Sequence, residues 1–343
     1  MTLRLIEGFD GLTALGDKYS ASTFHTVSTD EPHSGIQSMK SAGSTTDFAY
    51  MPIPGSTQSN EIYLGFAFRH SVIPALSGYS MVRFLGNGVS GAYLSIKNDG
   101  AIQIGGAAVQ IDSGANVLAI NTWYYIEVKI IKSNSSSAGD VIVMVDGAEW
   151  INCGTGLDFL AGANNWTDCI VFRGYTGSTR YYDDIYVCDE NGSSPTNTFL
   201  GHVTVATLHP DGEGNTNDFV GSDADSTDNH LHVDEATDDG DTSYVESNTP
   251  ADIDLYTFDD MPEASDSILG VQVSSYVKKD TVGQRLGRHV ARVNGSNYEG
   301  ANFGANSSGY LFADTIWELN PDDAAAWENA DIDAAEFGIK VQA

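Results

Sequence analysis

The first 190 residues alternate between apolar and polar positions, in short runs that turn-forming residues separate. The clearest run spans residues 61–70, where Ile62, Leu64, Phe66 and Phe68 alternate with smaller or more polar residues. Because successive side chains of a β-strand point to opposite faces of a sheet, this pattern predicts strands with one buried face. Runs of the same kind occupy residues 3–9, 48–53, 79–85, 92–97, 101–104, 121–131, 140–147, 167–173 and 181–188.

The pattern changes after residue 189. Residues 189–199 have the composition of a linker, and residues 210–249, rich in Asp, Gly, Asn, Ser and Thr, predict long acidic loops. The segment 320–323, Asn-Pro-Asp-Asp, predicts the start of a short helix, because Asn is a good N-cap and Pro and acids suit the first turn. Strand patterns return at residues 253–258, 268–276, 284–293, 310–319 and 335–341.

The length of the chain decides how these strands are grouped. A chain of 343 residues is too long for one ordinary core and suits two domains. We therefore predict an all-β protein with two β-sandwich, jelly-roll-like domains, residues 1–190 and residues 198–343.

The charge of the chain limits the classes of partner that we expect. Asp and Glu number 47 against 16 Lys and Arg, which gives a formal net charge of −31. Such a surface repels phosphate backbones and anionic lipid headgroups, so we expect neither nucleic acid nor a membrane as a partner. The opening residues show no secretory signal and there is no run of 18 apolar residues, so synthesis in a cytoplasm is expected.

The three cysteines, Cys153, Cys169 and Cys188, form no metal or redox spacing. We interpret them as buried apolar side chains, with a Cys153–Cys169 bridge as the less favoured alternative.

Oxygen-rich segments in the second domain raise the question of a cation. Asp211–Asp218 places oxygen side chains around glycines, as a calcium loop requires, but Ser222 stands where an EF-hand has its twelfth-position Glu. His230 and His232 share one face of a predicted strand, but no third zinc or nickel ligand is near. Surface turns and surface histidines explain both, so we predict no metal ligands and no cofactor, with Ca²⁺ as the open alternative. An acidic cluster with the same ambiguity comprises Asp234, Glu235, Asp238, Asp239 and Asp241.

One hairpin pattern points to a known fold. Trp123-Tyr-Tyr-Ile-Glu-Val, a polar loop and then Val141-Ile-Val-Met-Val-Asp-Gly resembles the most recognisable hairpin of concanavalin A-like and laminin-G-like sandwiches. The resemblance covers about residues 1–190 and implies a lectin-type sandwich in which Trp123 closes one end of the core. Lectins of this architecture stack aromatic rings on sugars. The candidates for such rings, or for core and interface aromatics, are Trp150, Trp166, Tyr175, Tyr181 and Tyr182.

Enzymes with the same fold set a test for catalysis. Laminarinase-type enzymes carry Glu-x-Asp-x-x-Glu on one strand, whereas no Glu of this chain has Asp two residues later. Asp252, Asp254 and Asp259 stand close together in sequence, but solvent-facing acids on an exposed strand explain them better. Serine nucleophile, phosphate-loop and dinucleotide motifs are absent from the sequence. We therefore predict no catalytic residues and no enzymatic activity.

The whole chain is similar to a family of structural proteins of tailed bacteriophages. The resemblance is carried by four segments, and these begin at Arg4, Tyr182, Phe199 and Ile316. The resemblance implies a non-enzymatic virion protein, made in the host cytoplasm, that acts as a tail or fibre component or a capsid decoration protein. Its expected partners are other virion proteins and further copies of itself. The alternative function is a carbohydrate-binding receptor-recognition module, with a host surface glycan as its ligand.

Overall fold

The structure, a computed structural model, describes residues 3–43, 48–54, 59–75, 78–106, 110–133, 138–154, 156, 164–191, 193–262, 267–280, 285–306 and 309–342. The chain is almost entirely β and divides into two compact units. The first unit comprises Met1–Asp10 with Ala14–Val205, and the second comprises Gly11–Thr13 with Ala206–Ala343. The prediction of an all-β chain with β-sandwich domains is confirmed.

The first unit is built from antiparallel strands joined by short turns. Its elements are β1 (Leu3–Glu7), α1 (Leu15–Lys18), β2 (Ser20–Ala21), β3 (His25–Ser28), β4 (Ser38–Ala42), β5 (Phe48–Pro52), β6 (Glu61–His70), β7 (Tyr79–Gly86), β8 (Val89–Ile96), β9 (Ala101–Gly106), β10 (Gln110–Val117), β11 (Tyr124–Ile131), β12 (Asp140–Val145), β13 (Ala148–Asn152), β14 (Cys169–Arg173) and β15 (Thr179–Asp189).

These strands form two sheets. The eight-stranded sheet has the order β13-β12-β11-β6-β15-β4-β3, and β1 also pairs with β15. The seven-stranded sheet has the order β10-β9-β8-β7-β14-β5-β2. Their inner faces meet in an aromatic core in which Phe172 of β14 packs edge-on against Phe66 of β6 and Tyr182 of β15, with ring centroids 5.7 Å and 4.9 Å away. The alternation seen in the sequence therefore buries one side of each strand between the sheets.

The predicted linker is part of the first unit. Residues 196–205, which we call the strap, lie on the outer face of the eight-stranded sheet. The strap is held by backbone N–H groups of Leu200 and Gly201, which donate to Tyr186 Oη (3.1 Å) and Glu127 Oε1 (2.8 Å). The ring of His202 stacks on Tyr125 at 4.7 Å. The boundary between the units therefore falls at Val205/Ala206 rather than within residues 189–199, and residues 198–205 belong to the first unit.

Trp123 does not close the end of the sandwich core. Its ring is half-buried and packs against His33 and Tyr181, at centroid distances of 5.2 Å and 6.4 Å. Tyr181 stands opposite Arg69 and Lys40 on the outer side of the eight-stranded sheet. The role that the resemblance implied for Trp123 is therefore wrong, because the ring covers the outside of a sheet.

The second unit is also built mainly from strands. Its elements are β16 (Pro210–Asn217), β17 (Val220–Gly221), β18 (Val245–Glu246), β19 (Ile253–Phe258), β20 (Val271–Val277), β21 (Leu286–Val293), β22 (Ser296–Glu299), β23 (Phe303–Gly304), β24 (Leu311–Trp317), α2 (Asn329–Ala334) and β25 (Glu336–Gln342).

These strands form a six-stranded sheet in the order β16-β19-β25-β21-β22, with β23 paired to β21. A two-stranded sheet of β20 and β24 packs on the core of the unit through Val271, Val273 and Trp317, against a cluster that includes Trp327 and Phe337.

Three local predictions for this unit are wrong. Residues 210–217, expected as loop, form strand β16 beside β19. Residues 230–232, expected as strand, lie in a turn of 3₁₀ helix, Asn229–His232. The predicted helix near residue 320 begins at Asn329 instead.

Within the described residues, no helix is long and apolar enough to cross a membrane. No disulfide joins the three cysteines in the described part of the chain; Cys188 is buried and the other two are half-buried.

Candidate functional site

The outer face of the seven-stranded sheet presents aromatic and cationic side chains in one line. The strand registers pair Tyr50 with Val171, Val171 with Arg83, and Arg83 with Tyr93. Tyr50 and Tyr93 are therefore three strand spacings apart, about 14 Å. Val171 is buried, whereas the other three side chains are half-buried and keep part of their surface in water. We call this surface, with Phe48 and Arg173 beside it, the open face.

The ring of Tyr93 lies along the open face because its cross-strand partner is a glycine. Tyr93 of β8 pairs with Gly105 of β9, and a methyl group on Gly105 would overlap Tyr93 Cζ and the hydroxyl. The ring reaches across β9 to β10, where Gln110 Nε2 donates a hydrogen bond to the hydroxyl at 3.3 Å. One side of the ring thus rests on the sheet.

Two arginines lie on the same face. Arg173 stands opposite Phe48, whose ring meets Tyr50 edge-on at 4.6 Å. The pKa of Arg173 is lowered below its usual range. Burial is the main cause, and the like charge of Arg83 is the second. Arg83 Nε donates to Ser80 Oγ at 3.2 Å, and Arg83 has no ion pair among the described residues. These guanidinium groups can donate hydrogen bonds to a ligand on the open face.

The outer face of the eight-stranded sheet is different, and we call it the covered face. The strap lies over Tyr125, Glu127 and Tyr186, which are 1%, 3% and 2% exposed. Tyr186 Oη donates to Glu127 Oε1 at 2.5 Å, and the same oxygen accepts from Gly201 N. These polar groups satisfy one another beneath the strap.

A buried acidic pair lies at a β-bulge of the covered face. Asp183 and Asp184 are both 0% exposed, and Asp184 has a positive φ of 48°. Asp184 binds His33 Nδ1 and accepts from Val205 N at 2.7 Å, while Asp183 accepts from His33 N at 2.8 Å and from Ser34 N. Burial, and after it the neighbouring carboxylate, raises the pKa of Asp183 to about 8. The pair fastens the loop that contains His33 and Ser34, and the strap, to the sheet.

The structure does not bring the aromatic candidates from the sequence together. Tyr182 is 0% exposed in the core and Tyr181 is 7% exposed on the covered face. Trp150 lies on the edge strand β13 near Tyr124, and Trp166 donates its indole N–H to Asp168. Tyr175 packs on Tyr79 at 4.4 Å.

The carboxylates considered for catalysis accept hydrogen bonds from neighbouring groups of the second unit. Asp254 is 0% exposed, so the expectation of a solvent-facing acid is wrong for it. Its oxygens accept from Tyr256 Oη (2.6 Å) and Asn229 Nδ2 (2.9 Å), and burial raises the pKa of this carboxyl. Asp252 accepts from Ser247 Oγ at 2.6 Å. Asp259 accepts from the backbone N–H of His209 at 3.3 Å.

The oxygen-rich segment 211–218 is spread along β16 instead of curling around a point. Asp211 accepts from Thr257 Oγ1 at 2.7 Å, and Asp218 accepts from the backbone N–H of Ile253 at 3.1 Å. Glu213 accepts from the backbone N–H of His230 at 2.9 Å.

The side chains of the histidine pair and of the acidic cluster contact neighbouring residues instead of meeting at one point. His230 Nδ1 contacts Glu213, whereas His232 contacts Ser222 and Asp223, so the two rings have different partners. In the acidic cluster, Asp238 accepts from Thr13, Glu235 and Asp239 accept from Ser243, and Asp241 pairs with Lys278. Over the described part of the chain, no group of three His, Cys, Asp or Glu side chains could hold a metal ion.

Tyr50, Arg83 and Tyr93 were missed as candidates in the sequence. A signal was present, because Arg83 stands between Val82 and Phe84 and must face outward when they face inward. Tyr93 has the same relation to its apolar neighbours. The sequence does not tell, however, which of the two outer faces is covered.

Comparisons with known proteins identify no family. No protein family model matches the sequence, and no curated protein matches it. Among solved structures, a sialidase is similar with TM-score 0.39 and 14% identity, over 56% of this chain and 19% of that one. The cellulose-induced protein Cip1 is similar with TM-score 0.39 and 13% identity, over 50% of this chain and 91% of that one. An endo-β-1,4-glucuronan lyase from the fungus Trichoderma reesei has TM-score 0.38 and 15% identity, over 52% and 93% of the two chains.

These comparisons overturn the predicted virion function. The similar structures named above are a sialidase, a polysaccharide lyase and a cellulose-induced protein, and none is a phage structural protein. The tail, fibre and decoration roles are therefore wrong as the main interpretation. The absence of catalysis stays a prediction.

Proposed function

We propose that the protein binds a carbohydrate chain along the open face and does not cleave it. The observation that supports binding is the Tyr93 ring, held flat on the sheet by Gly105 with its other side directed away from the strands. An aromatic ring in this position can pack against the C–H face of a sugar. Tyr50, about 14 Å away, provides a second ring, so the face suits an oligosaccharide rather than a single sugar.

The absence of cleavage is proposed from the acids of this sheet. Glycoside hydrolysis uses a pair of carboxylates on either side of the bond. The five central strands of the seven-stranded sheet, β5, β14, β7, β8 and β9, contain no Asp or Glu. A chain bound across them would meet hydroxyl, amide and guanidinium groups.

Binding to a panel of soluble polysaccharides, measured with the whole protein, tests the proposal. We expect Tyr93→Ala to weaken binding about tenfold, since it removes the stacking surface. Trp150→Ala is the matched control, because it removes a half-buried ring from edge strand β13 of the other sheet. Equal losses in the two variants, or no binding to any glycan, would overturn the proposal. Shortening of a bound polysaccharide, or the absorbance of an unsaturated product, would overturn the absence of cleavage.

A further inference from the structure

The open face is poor in acids within a strongly acidic chain. The strands of the seven-stranded sheet contain one acid, Asp112, on the edge strand β10. The strands of the eight-stranded sheet contain eight. The eight are Glu7, Glu61, Glu127, Asp140, Glu149, Asp183, Asp184 and Asp189. In a chain with a net charge of −31, the strands that form the open face therefore carry few negative charges of their own.

Two buried cations lie beneath the same strands. Arg180, 1% exposed, reaches from β15 across the core and donates through Nη1 to the carbonyl oxygens of Ser80 (2.8 Å) and Arg173 (3.0 Å). Lys132, 1% exposed, donates through Nζ to the carbonyl oxygens of Phe84 and Trp166, both at 3.0 Å. Both therefore bind the underside of the sheet that carries Arg83 and Arg173.

Neither Arg180 nor Lys132 forms an ion pair in the described part of the chain, and Arg180 Nη2 is buried without a hydrogen-bond partner. Asp168 is the carboxylate whose charge acts on Lys132. A buried charge is weakly screened by salt and is destabilised when it has no opposite charge nearby. An anion bound on the open face would offset that positive charge.

Resting on the proposed function, we infer that the carbohydrate is anionic, a polymer whose sugars carry carboxylate or sulfate groups. Arg83 is the group that contacts the anion directly, since the residue is half-buried and has no ion pair among the described residues. Arg180 and Lys132 attract the anion from beneath the sheet. The fork of donors on a guanidinium matches the two oxygens of a carboxylate.

A second copy of the chain fits the open face less well. In a symmetric dimer the same face meets itself, so the arginines of both copies would lie in one interface. Each copy also brings a net charge of −31. The arrangement of cations therefore favours a flexible anionic polymer over self-association.

The test compares polyuronates with their neutral methyl esters, which share the backbone and differ in charge. Polygalacturonate and alginate, each beside its ester, are titrated into the whole protein at low and moderate salt, with single-stranded DNA as a non-carbohydrate polyanion. We expect the acid form of at least one polymer to bind ten times more tightly than its ester, and the difference to shrink as salt rises. Arg83→Gln should remove most of the difference. Arg69→Gln, which removes an arginine of the covered face paired with Glu31, should leave it unchanged.

The outcomes separate this inference from the proposed function. Equal binding of acid and ester that Tyr93→Ala weakens would leave carbohydrate binding in place and overturn the anionic specificity. No glycan binding of either form would overturn both. Equal affinity for single-stranded DNA, or a dimer that Arg83→Gln dissociates, would likewise show that the open face serves another partner.

Discussion

The two outer faces of the first unit have the same local arrangement, a tyrosine ring over a glycine, which is buried on one face and partly exposed on the other. On each face a tyrosine lies over a glycine of the neighbouring strand, Tyr186 over Gly65 and Tyr93 over Gly105. Tyr186 is 2% exposed beneath the strap, where its hydroxyl donates to Glu127 and accepts from Leu200 N. Tyr93 is half-buried, and its hydroxyl meets only Gln110 among the described contacts. The same local geometry therefore stabilises the fold on one face and leaves a ring available on the other.

The largest expected effect is on the free energy of unfolding when Gly65 or Gly105 is replaced by alanine. Gly65→Ala should lower the free energy of unfolding by about 3 kcal/mol, because Tyr186 is trapped and cannot move away from the new methyl group. Gly105→Ala should cost less than about 1 kcal/mol, because Tyr93 can turn toward water. Urea unfolding measures both. If the two losses are equal, the faces do not differ as described. Gly105→Ala should also weaken glycan binding, since the ring no longer lies flat.

A smaller loss of stability is expected when the hydrogen bonds that hold the strap are removed. Glu127→Ala leaves Tyr186 Oη and the N–H of Gly201 without their acceptor, at a loss of about 2 kcal/mol. An elastase-type protease should then cut within residues 196–205, which resist cleavage in the unchanged protein. Glu149→Ala, an exposed acid of the same sheet, is the control and should change neither property. Ready cleavage of the unchanged protein in the strap would contradict the packing described.

The smallest effect is a pH dependence on the open face. Burial lowers the pKa of Lys132 to about 8, so its ammonium is charged below that pH and neutral above it. The affinity for an acidic glycan should therefore fall about threefold as the pH rises through 8, because one cation beneath the sheet is lost. The affinity for the neutral ester, measured by the same titration, should stay constant. A parallel fall for both ligands would place the titrating group elsewhere.

The sequence predicted the strands of the first unit well where alternation was strong. Residues 61–70 were expected as one strand and form β6 over the same residues. Strand β16 was missed because its sequence, Pro-Asp-Gly-Glu-Gly-Asn-Thr-Asn, has no apolar alternation, and backbone pairing with β19 is what makes it a strand. Hydrophobic patterning reports burial of one face, so it does not detect a strand whose side chains are all polar or absent.

The strap and the open face show a second reason for error. Residues 189–199 have the composition of a linker, yet Phe199 meets Tyr63 edge-on at 5.4 Å and Leu200 binds the covered face. Alternation placed Arg83 and Tyr93 on an outer face, but the choice of which face is covered depends on contacts between residues more than 70 positions apart, such as Gly201 with Glu127. Local patterns contain no information about such contacts.

Gly11–Thr13 belongs to the second unit, although the residues on both sides of this segment belong to the first. Gly11 forms a parallel bridge with Thr237, and the Thr13 hydroxyl donates to the carbonyl oxygen of Asp238 at 2.9 Å. The ribosome synthesises these three residues more than 220 positions before their partners. Their contacts can therefore form only after the whole first unit has been synthesised. A gene fragment encoding only residues 206–343 lacks them. Neither unit can thus be exchanged between proteins as one uninterrupted cassette.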